Sequence, residues 1–196
     1  MSIQGQVAPI ESVLDYLSNK ERTLEIPPWQ REYVWTASET GEVGVLLQDL
    51  KDFINSEDND YLLGSVFLSH GADGKNDRLL IDGQQRTLTL TLLLMACRKH
   101  LSNAKLLKAD DNVHAKILVD LLNCFSKSGL EYFPKVVMIQ GKANDILRQL
   151  FLWSMSPDGE QSDLLTEEKE HWTPTQRNLV SVASWIYEKQ LQNQNW

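Results

Sequence analysis

The sequence predicts an α+β fold in which a small mixed sheet with flanking helices is followed by a mainly helical C-terminal part. Short runs of strand-forming residues alternate with longer amphipathic segments in the first half of the chain. At residues 78–100 a short apolar run, an Asp-Gly turn and a long apolar segment follow one another. Farther along, apolar residues recur mainly at helical spacing. These observations divide the chain into a core of residues 1–102 and a mainly helical extension of residues 103–196, packed on the core.

The composition is that of an ordinary globular protein, with 42% apolar and 23% charged residues in a chain of 196. The net charge of -8 argues against broad attraction to nucleic acid, although a local basic site is compatible with it. Cys97 and Cys124 lie in apolar surroundings without metal-binding spacing, which predicts free thiols. The first residues lack the basic start and apolar run typical of a signal peptide, and no run reaches roughly 20 apolar residues, so we expect a cytoplasmic location and no membrane contact.

The chain begins with a predicted helix and a short strand. Apolar residues at helical spacing predict the helix over residues 9–20, and residues 23–26 form a strand that two prolines end. The aromatic-rich stretch IPPWQREYVW follows. Because buried aromatic rings commonly anchor a core, Trp29, Tyr33 and Trp35 are expected inside.

A helix and a hairpin come next. Residues 38–54 show an apolar face opposite a charged one, which predicts an amphipathic helix. The acidic residues 56–60 are typical of a solvated connection. Residues 61–69 are rich in strand formers, and Gly64 permits close backbone approach. This strand and residues 78–81 predict a hairpin joined by a polar turn.

The segment after Gly83 is predicted to be a helix, although its alternation of threonine and leucine also suits a strand. The apolar run continues to Cys97, which is too long for a typical strand. A cationic last turn, Arg98 to His100, suits a helix C-terminus. The residues that share the apolar face are Leu88, Leu92, Met95 and Ala96.

In the second half, periodicity predicts a helix over residues 113–125 ended by a Lys-Ser-Gly run, an extended segment over 133–139 and a helix over 142–153. Residues 157–170 are typical of a loop. A capping box with proline at the first helical position, residues 173–176, then starts a last helix that runs nearly to the end of the chain. Because the chain ends without a C-cap, we expect a fragment of a longer protein.

Two polar clusters have no obvious structural purpose: Gln30-Arg31 beside aromatic residues, and the stretch from Asp82 to Arg86. If the fold brings them together, they form a pocket with two arginines, amide groups, a helix N-terminus and aromatic walls. Such a pocket suits a nucleotide, because phosphate binds arginine and helix N–H groups while a base stacks on a ring. A buried salt-bridge network is the structural alternative.

The motifs IPPWQREYVW, LLGSVFL and LLIDGQQRTLTL occur in this order and resemble the N-terminal domain of GmrSD-type restriction systems, a family of prokaryotic defence proteins. The resemblance covers residues 10–155 clearly and the last helix loosely. Family members commonly have Leu-Thr-Thr-Leu after the arginine, where this chain has Thr87-Leu88-Thr89-Leu90. That departure leaves the turn and the arginine unchanged.

The resemblance implies a ParB/sulfiredoxin-like core that binds and hydrolyses a nucleoside triphosphate, accompanied by Mg²⁺. In full-length relatives this activity is coupled to cleavage of modified or foreign DNA, so DNA is an expected partner through the full-length protein or a partner nuclease domain. The family's functional residues map onto two motifs of this chain: Gln30, Arg31 and Tyr33 in the first, and Asp82, Gly83, Gln84, Gln85 and Arg86 in the second. The adjacent Thr87 is also expected to bind the nucleotide.

Arg86, Asp82 and Gln85 form the expected catalytic group, and Arg86 together with the remaining residues forms the nucleotide-binding group. Arg86 is expected to hold a phosphate oxygen and to stabilise developing negative charge. Asp82 either orients a water or Mg²⁺ or caps the following helix. Gln85 positions the attacking water, with Gln84 as an equal alternative.

No metal-binding residues are predicted in this chain itself, because His70, His100, His114 and His171 are scattered without ligand spacing. The nuclease of these systems usually lies in a separate HNH-type domain, so we expect no metal-dependent DNA cleavage by this chain alone. Two other functions stay open: a non-catalytic DNA-recognition module that senses modified DNA, and a partner-binding scaffold. Oligomer formation is also left open.

Overall fold

The structure, a computed structural model, describes residues 10–18, 23–70, 78–103, 125–128, 131–134, 136–138, 143–156 and 170–192. Its helices are α1 (Val13–Ser18), α2 (Glu42–Ile54), α3 (Gln84–Asn103), α4 (Ala143–Met155) and α5 (Pro174–Trp185), and a π-helical segment (Ile186–Gln192) continues α5. Its strands are β1 (Leu24–Ile26), β2 (Phe67–His70), β3 (Arg78–Asp82), β4 (Phe125–Ser128), β5 (Glu131–Pro134) and β6 (Val136–Met138). The predicted α+β class is confirmed.

A four-stranded mixed sheet with strand order β2-β3-β1-β6 forms one layer of the fold. The central strand β1 is parallel to both neighbours, pairing Leu24 with Arg78 of β3 and with Val136 of β6. Strands β2 and β3 are antiparallel, as the predicted hairpin requires. Leu24 and Ile26 of β1 are buried in the core. Strands β4 and β5 form a separate two-stranded sheet.

Helix α3 confirms the predicted helix after Gly83 and runs through the middle of the core. Its apolar face is buried, as predicted, and the helix packs against α4, α5 and the π-helical segment. Its threonines are also buried, and two of them donate hydrogen bonds to carbonyls one turn back: Thr89 to Gln85 O and Thr91 to Thr87 O, both at 2.9 Å. The alternation with leucine therefore does not require a strand, because the helix backbone satisfies the hydroxyls.

The later helices also match their predictions. Helix α4 buries Ile146, Leu147 and Phe151. At the start of α5, Thr173 Oγ1 accepts a bond from Gln176 N at 3.3 Å, and the Gln176 Oε1 accepts one from Thr173 N at 2.9 Å. This is the predicted capping box, with proline at the start of the helix.

Two predictions for the first half of the chain were wrong. Residues 61–66 are irregular, and the strand begins only at Phe67, because Gly64 adopts a φ of 103° that interrupts an extended chain. Trp29 is not in the core, since a turn in which Gln30 N donates to Pro27 O at 3.1 Å leaves its side chain 69% exposed.

Two predictions for the second half also need correction. Phe125 begins strand β4 and is not the end of a helix, because residues 125–128 pair with β5. The single extended segment predicted at residues 133–139 is instead divided between β5 and β6, which belong to different sheets. The predictions for residues 113–124, 71–77 and 157–169, and for Cys124, lie outside the described residues.

Cys97 is a free thiol, as predicted, and burial raises its pKa to about 11. In the described part of the chain, no helix has the length and apolar character needed to cross a bilayer. Strand β6 comes from beyond residue 103 and yet completes the main sheet. The division into a core and an extension stays a prediction.

Candidate functional site

The two motifs meet along the backbone of residues 30–34. Gln30 Nε2 donates to Ile81 O at 2.7 Å, and Gln84 Nε2 donates to Arg31 O at 2.6 Å. The Gln85 amide binds twice: Nε2 donates to Glu32 O at 2.9 Å, and Oε1 accepts from Val34 N at 2.9 Å. Side-chain amides both donate and accept, so they replace the strand partner that this irregular segment lacks.

Both glutamines at the start of α3 are buried. Gln84 is 5% exposed, and its Oε1 has no hydrogen-bond partner among the described residues. Such a group destabilises a folded protein by about 1–3 kcal/mol. The Gln84 Nε2, in contrast, donates a hydrogen bond to the carbonyl of Arg31. The first role of these side chains is therefore to hold α3 against the upstream motif through hydrogen bonds.

Tyr33 faces the core, where its hydroxyl lies 2.7 Å from Thr89 Oγ1. The Thr89 proton is directed to Gln85 O, so the tyrosine is the donor. Burial raises the pKa of Tyr33 well above its ordinary value, and the phenol stays protonated. The carbonyl of Tyr33 accepts a bond from Asn178 Nδ2 of α5 at 2.9 Å. Helix α5 therefore helps to hold the first motif.

Beside this junction lies an open cavity of about 640 Å³. Its size falls in the range of small-molecule sites. One wall is a single face of α2, another is the irregular segment before β2, and Arg86 enters from α3. The lining residues are Trp35, Thr36, Ser38, Thr40, Gly41, Glu42, Val45, Leu46, Asp49, Tyr61, Leu63 and Arg86.

The guanidinium of Arg86 lies flat against Gly64. A β-carbon built on Gly64 would be 2.9 Å from Arg86 Nη1, 3.2 Å from Cζ and 3.3 Å from Nη2. Arg86 Nη1 also donates to Ser65 O at 3.3 Å. The side chain is half-buried. Gly64 covers one face of the guanidinium plane, and Ser65 O accepts a hydrogen bond at its edge, so these two contacts fix the position of the group. Arg86 also lines the cavity, and within the described part of the chain Ser65 O is the one acceptor found for its guanidinium.

The turn before α3 is built as the sequence predicts. Gly83 has a φ of 90°, and the Asp82 Oδ1 accepts a bond from Gly83 N at 2.8 Å. The backbone of Thr87 donates to Gly83 O at 2.9 Å, which closes the first turn of the helix. The Thr87 hydroxyl is buried and lies 3.4 Å from Tyr16 OH. Asp82 itself is exposed at this turn.

At the N-terminus of α2, Glu42 supplies a carboxylate to the cavity. Its Oε2 accepts bonds from Thr36 N and Thr36 Oγ1, each at 3.1 Å. The backbone N–H of Glu42 itself and the two Thr36 donors hold the pKa of this carboxyl below its usual range. The positive charge of Arg31 contributes in the same direction, which places Arg31 within electrostatic range of the cavity rim.

Two turns along α2, Asp49 forms the second acidic point of the cavity. Its Oδ2 accepts a hydrogen bond from Tyr61 OH at 3.2 Å. The ring of Tyr61 packs against Phe53 with centroids 5.7 Å apart, which directs the hydroxyl towards Asp49. Desolvation and the bond to Asp49 raise the pKa of Tyr61, and the charge of Arg86 opposes this shift.

Arg86 is the residue of the predicted set that lines the cavity. Gln84, Gln85, Tyr33 and Thr87 are buried behind it, and the other predicted residues lie along the junction of the motifs. The contribution of α2 was missed by the sequence analysis. The sequence carries no distinct signal for this wall, because Glu42, Val45 and Asp49 look like the solvent-facing side of an amphipathic helix.

Within the described ranges, no group of three or more acidic, histidine or cysteine side chains is arranged to hold a metal ion. The fold and the cavity together define an α+β domain in which a two-motif polar junction presents one arginine to a small-molecule-sized cavity. Residues 13–195 match the family described as the GmrSD restriction endonuclease, N-terminal domain. Because the match covers nearly the whole chain, the chain belongs to this family, and the resemblance of its motifs is confirmed. A search of curated proteins found no match.

Proposed function

We propose that this domain binds and hydrolyses a nucleoside triphosphate as the N-terminal part of a GmrSD-like restriction protein acting in the cytoplasm against phage DNA. Its core is proposed to be ParB/sulfiredoxin-like, and the nuclease to lie in a separate domain. The observation that carries the proposal is Arg86, which contacts Gly64 and Ser65 O and lines the cavity.

Arg86 supplies the phosphate-binding charge. Guanidinium is planar, permanently charged and matched to phosphate oxygens through paired donors. Because its position is fixed in advance, it stabilises the charge that develops during phosphoryl transfer without reorganisation. Arg31 lies close enough to Glu42 to lower its pKa, so it adds positive charge near the rim.

Mg²⁺ accompanies the nucleotide in this proposal. The charged residues of the lining are Arg86, Glu42 and Asp49, which give a net charge of −1. Because a triphosphate is itself negative, this charge disfavours binding of the nucleotide without a cation. Mg²⁺ in nucleotide sites commonly takes one or two carboxylates together with phosphates and water. Glu42 fits this description as a cavity-lining carboxylate. When bound, the ion neutralises phosphate charge.

The remaining predicted residues take distinct roles. Asp82 is an exposed residue whose Oδ1 accepts a bond from Gly83 N, and we propose that its carboxylate orients water. Both ends of the Gln85 amide bind the backbone of the first motif, so Gln85 acts by positioning that motif. Gln84 does the same at Arg31.

The test compares Arg86→Ala with Arg177→Ala. Arg177 is a matched control, because it also donates to a backbone carbonyl, Trp172 O at 2.8 Å, and is not part of the cavity lining. In the parent protein, ATP or GTP with Mg²⁺ should raise the melting temperature and be hydrolysed. Arg86→Ala should lose both effects, while Arg177→Ala keeps them. Equal binding and turnover in all three proteins would show that the proposal is wrong.

DNA recognition is the second candidate, because the indole of Trp29 is 69% exposed directly beside the anchored Gln30. Exposed aromatic rings stack on unpaired bases, and modified bases are read in such settings. The test is a salt titration with modified and plain duplexes, on the parent and on Trp29→Ala. Failure of the parent to bind either duplex at low salt would exclude this function for the domain.

A further inference from the structure

One end of the cavity carries a carboxylate that the proposed phosphate chemistry does not use. Asp49 lies seven residues beyond Glu42 on the same face of α2, a rise of about 10 Å along the helix. Asp49 Oδ2 accepts a hydrogen bond from the neutral hydroxyl of Tyr61 at 3.2 Å. A carboxylate with a neutral neighbour and an open cavity in front of it is an acceptor for neutral donors of a ligand.

We propose that Asp49, oriented by Tyr61, binds the ribose hydroxyls of the nucleotide, so that the domain selects ribonucleotides over deoxyribonucleotides. This inference rests on the proposed nucleotide function and adds the sugar as the group that is recognised. Asp49 is therefore a specificity-determining residue, and it takes no part in the transfer of the phosphoryl group.

The first argument is the position of Asp49 relative to Arg86. Tyr61 and Gly64 belong to one short irregular segment, which touches both charges: Tyr61 donates to Asp49, and Gly64 lies against the guanidinium of Arg86. The electrostatic influence of Arg86 on Tyr61 is consistent with this proximity. In a nucleoside triphosphate the sugar joins the phosphate chain to the base. A phosphate chain bound at Arg86 therefore brings the sugar, before the base, towards Asp49.

The second argument is the match between donors and acceptors. The ribose 2′- and 3′-hydroxyls are adjacent donors, and the two oxygens of a carboxylate accept two such bonds side by side. A 2′-deoxyribose offers one donor fewer at the same place. Trp35 lies elsewhere in the lining and supplies an aromatic ring for the base, whose stacking does not depend on the sugar.

The experiment measures KM and kcat for matched ribo- and deoxyribonucleoside triphosphates in the parent, Asp49→Asn and Tyr61→Phe proteins. Removing a hydrogen bond to a charged group should raise KM by about tenfold. The parent should therefore show a lower KM for the ribonucleotide, with similar kcat for both. Asp49→Asn should raise the ribonucleotide KM to the deoxyribonucleotide value, and Tyr61→Phe should reduce the preference in part.

The matched control is Asp52→Asn on the same helix. Asp52 is exposed, accepts a bond from Gln48 Nε2 at 2.7 Å and does not line the cavity, so the sugar preference should be unchanged. Melting temperatures verify that each variant is folded.

Equal KM values for the two sugars in the parent would overturn the inference and leave the nucleotide function intact. So would a preference that survives in Asp49→Asn. If no nucleotide is bound or hydrolysed by the parent, the proposed function fails, and this inference fails with it.

Discussion

Replacing Gly64 with alanine tests whether the position of Arg86 matters. The new β-carbon would lie 2.9 Å from Arg86 Nη1, whereas ordinary van der Waals contact begins at 3.4 Å. The guanidinium must therefore move by the difference, 0.5 Å, away from Gly64. Alanine at a φ of 103° adds backbone strain of about 1–2 kcal/mol. The side chain stays present and charged, but its location changes.

The expected result has two parts. The strain should lower the melting temperature by roughly 2–8 °C, at about 2–4 °C per kcal/mol for a chain of this size. Since a misplacement of about 1 Å can reduce turnover about a hundredfold, a shift of half that size should reduce turnover on the order of tenfold. Calorimetry measures the first effect, and a phosphate-release assay measures the second.

The same substitution in an Arg86→Ala background is the control. Turnover is already lost with the guanidinium in this background, but the alanine keeps its backbone strain, so the double variant isolates the effect of Gly64→Ala on stability. Stability should fall by the backbone strain alone in this background, and by at least that amount in the parent, where the guanidinium must also move. If Gly64→Ala lowers the melting temperature but hydrolyses nucleotide at the parent rate, the close packing of Arg86 on Gly64 has no role in the site.

Three further predictions concern the junction and the cavity rim. Tyr33→Phe removes the 2.7 Å bond to Thr89 and should lower the free energy of unfolding by about 1 kcal/mol in urea titrations, with turnover unchanged. Asn178→Ala removes the hydrogen bond to the carbonyl of Tyr33 and should raise the nucleotide KM. The control Asn144→Ala removes two hydrogen bonds to the backbone of Met138, away from the junction, and should affect stability alone. The pKa of the Glu42 carboxyl is lowered in the folded protein, so its contribution to stability is present above the ordinary pKa of 4.5 and is lost as the pH falls through the lowered pKa. Glu42→Gln should therefore reduce the loss of stability at acid pH, measured as melting temperature against pH.

Elements that depend on local chemistry were predictable from the sequence. The capping box needs only Thr173, Pro174 and Gln176 in order, and α3 follows from the length of its apolar run. The junction of the two motifs was predicted in outline, because their glutamines and arginines had no other explanation. Which glutamine amide binds which backbone group depends on tertiary contacts, so the individual hydrogen bonds could not be predicted from the sequence.

The cavity wall on α2 shows why other features could not be predicted. Asp49 and Val45 look like an outer helix face, and periodicity does not distinguish a face towards solvent from one towards a water-filled cavity. Gly64 was predicted to permit close approach, but its partner, Arg86, is 22 residues away in sequence. The exposed position of Trp29 depends on a proline turn whose direction the sequence does not determine.

The central position of β1 has a consequence for how the chain folds. Leu24 pairs with Arg78 and with Val136, partners that lie 54 and 112 residues later by the difference of their numbers. Bringing such distant segments together requires closing long loops, which slows folding relative to a helical bundle. During synthesis, a nascent chain that has not reached β6 holds β1 with one parallel edge unpaired. Unpaired strand edges can pair with other chains. Rapid pairing of β6, residues 136–138, with β1 therefore protects the newly synthesised domain from aggregation.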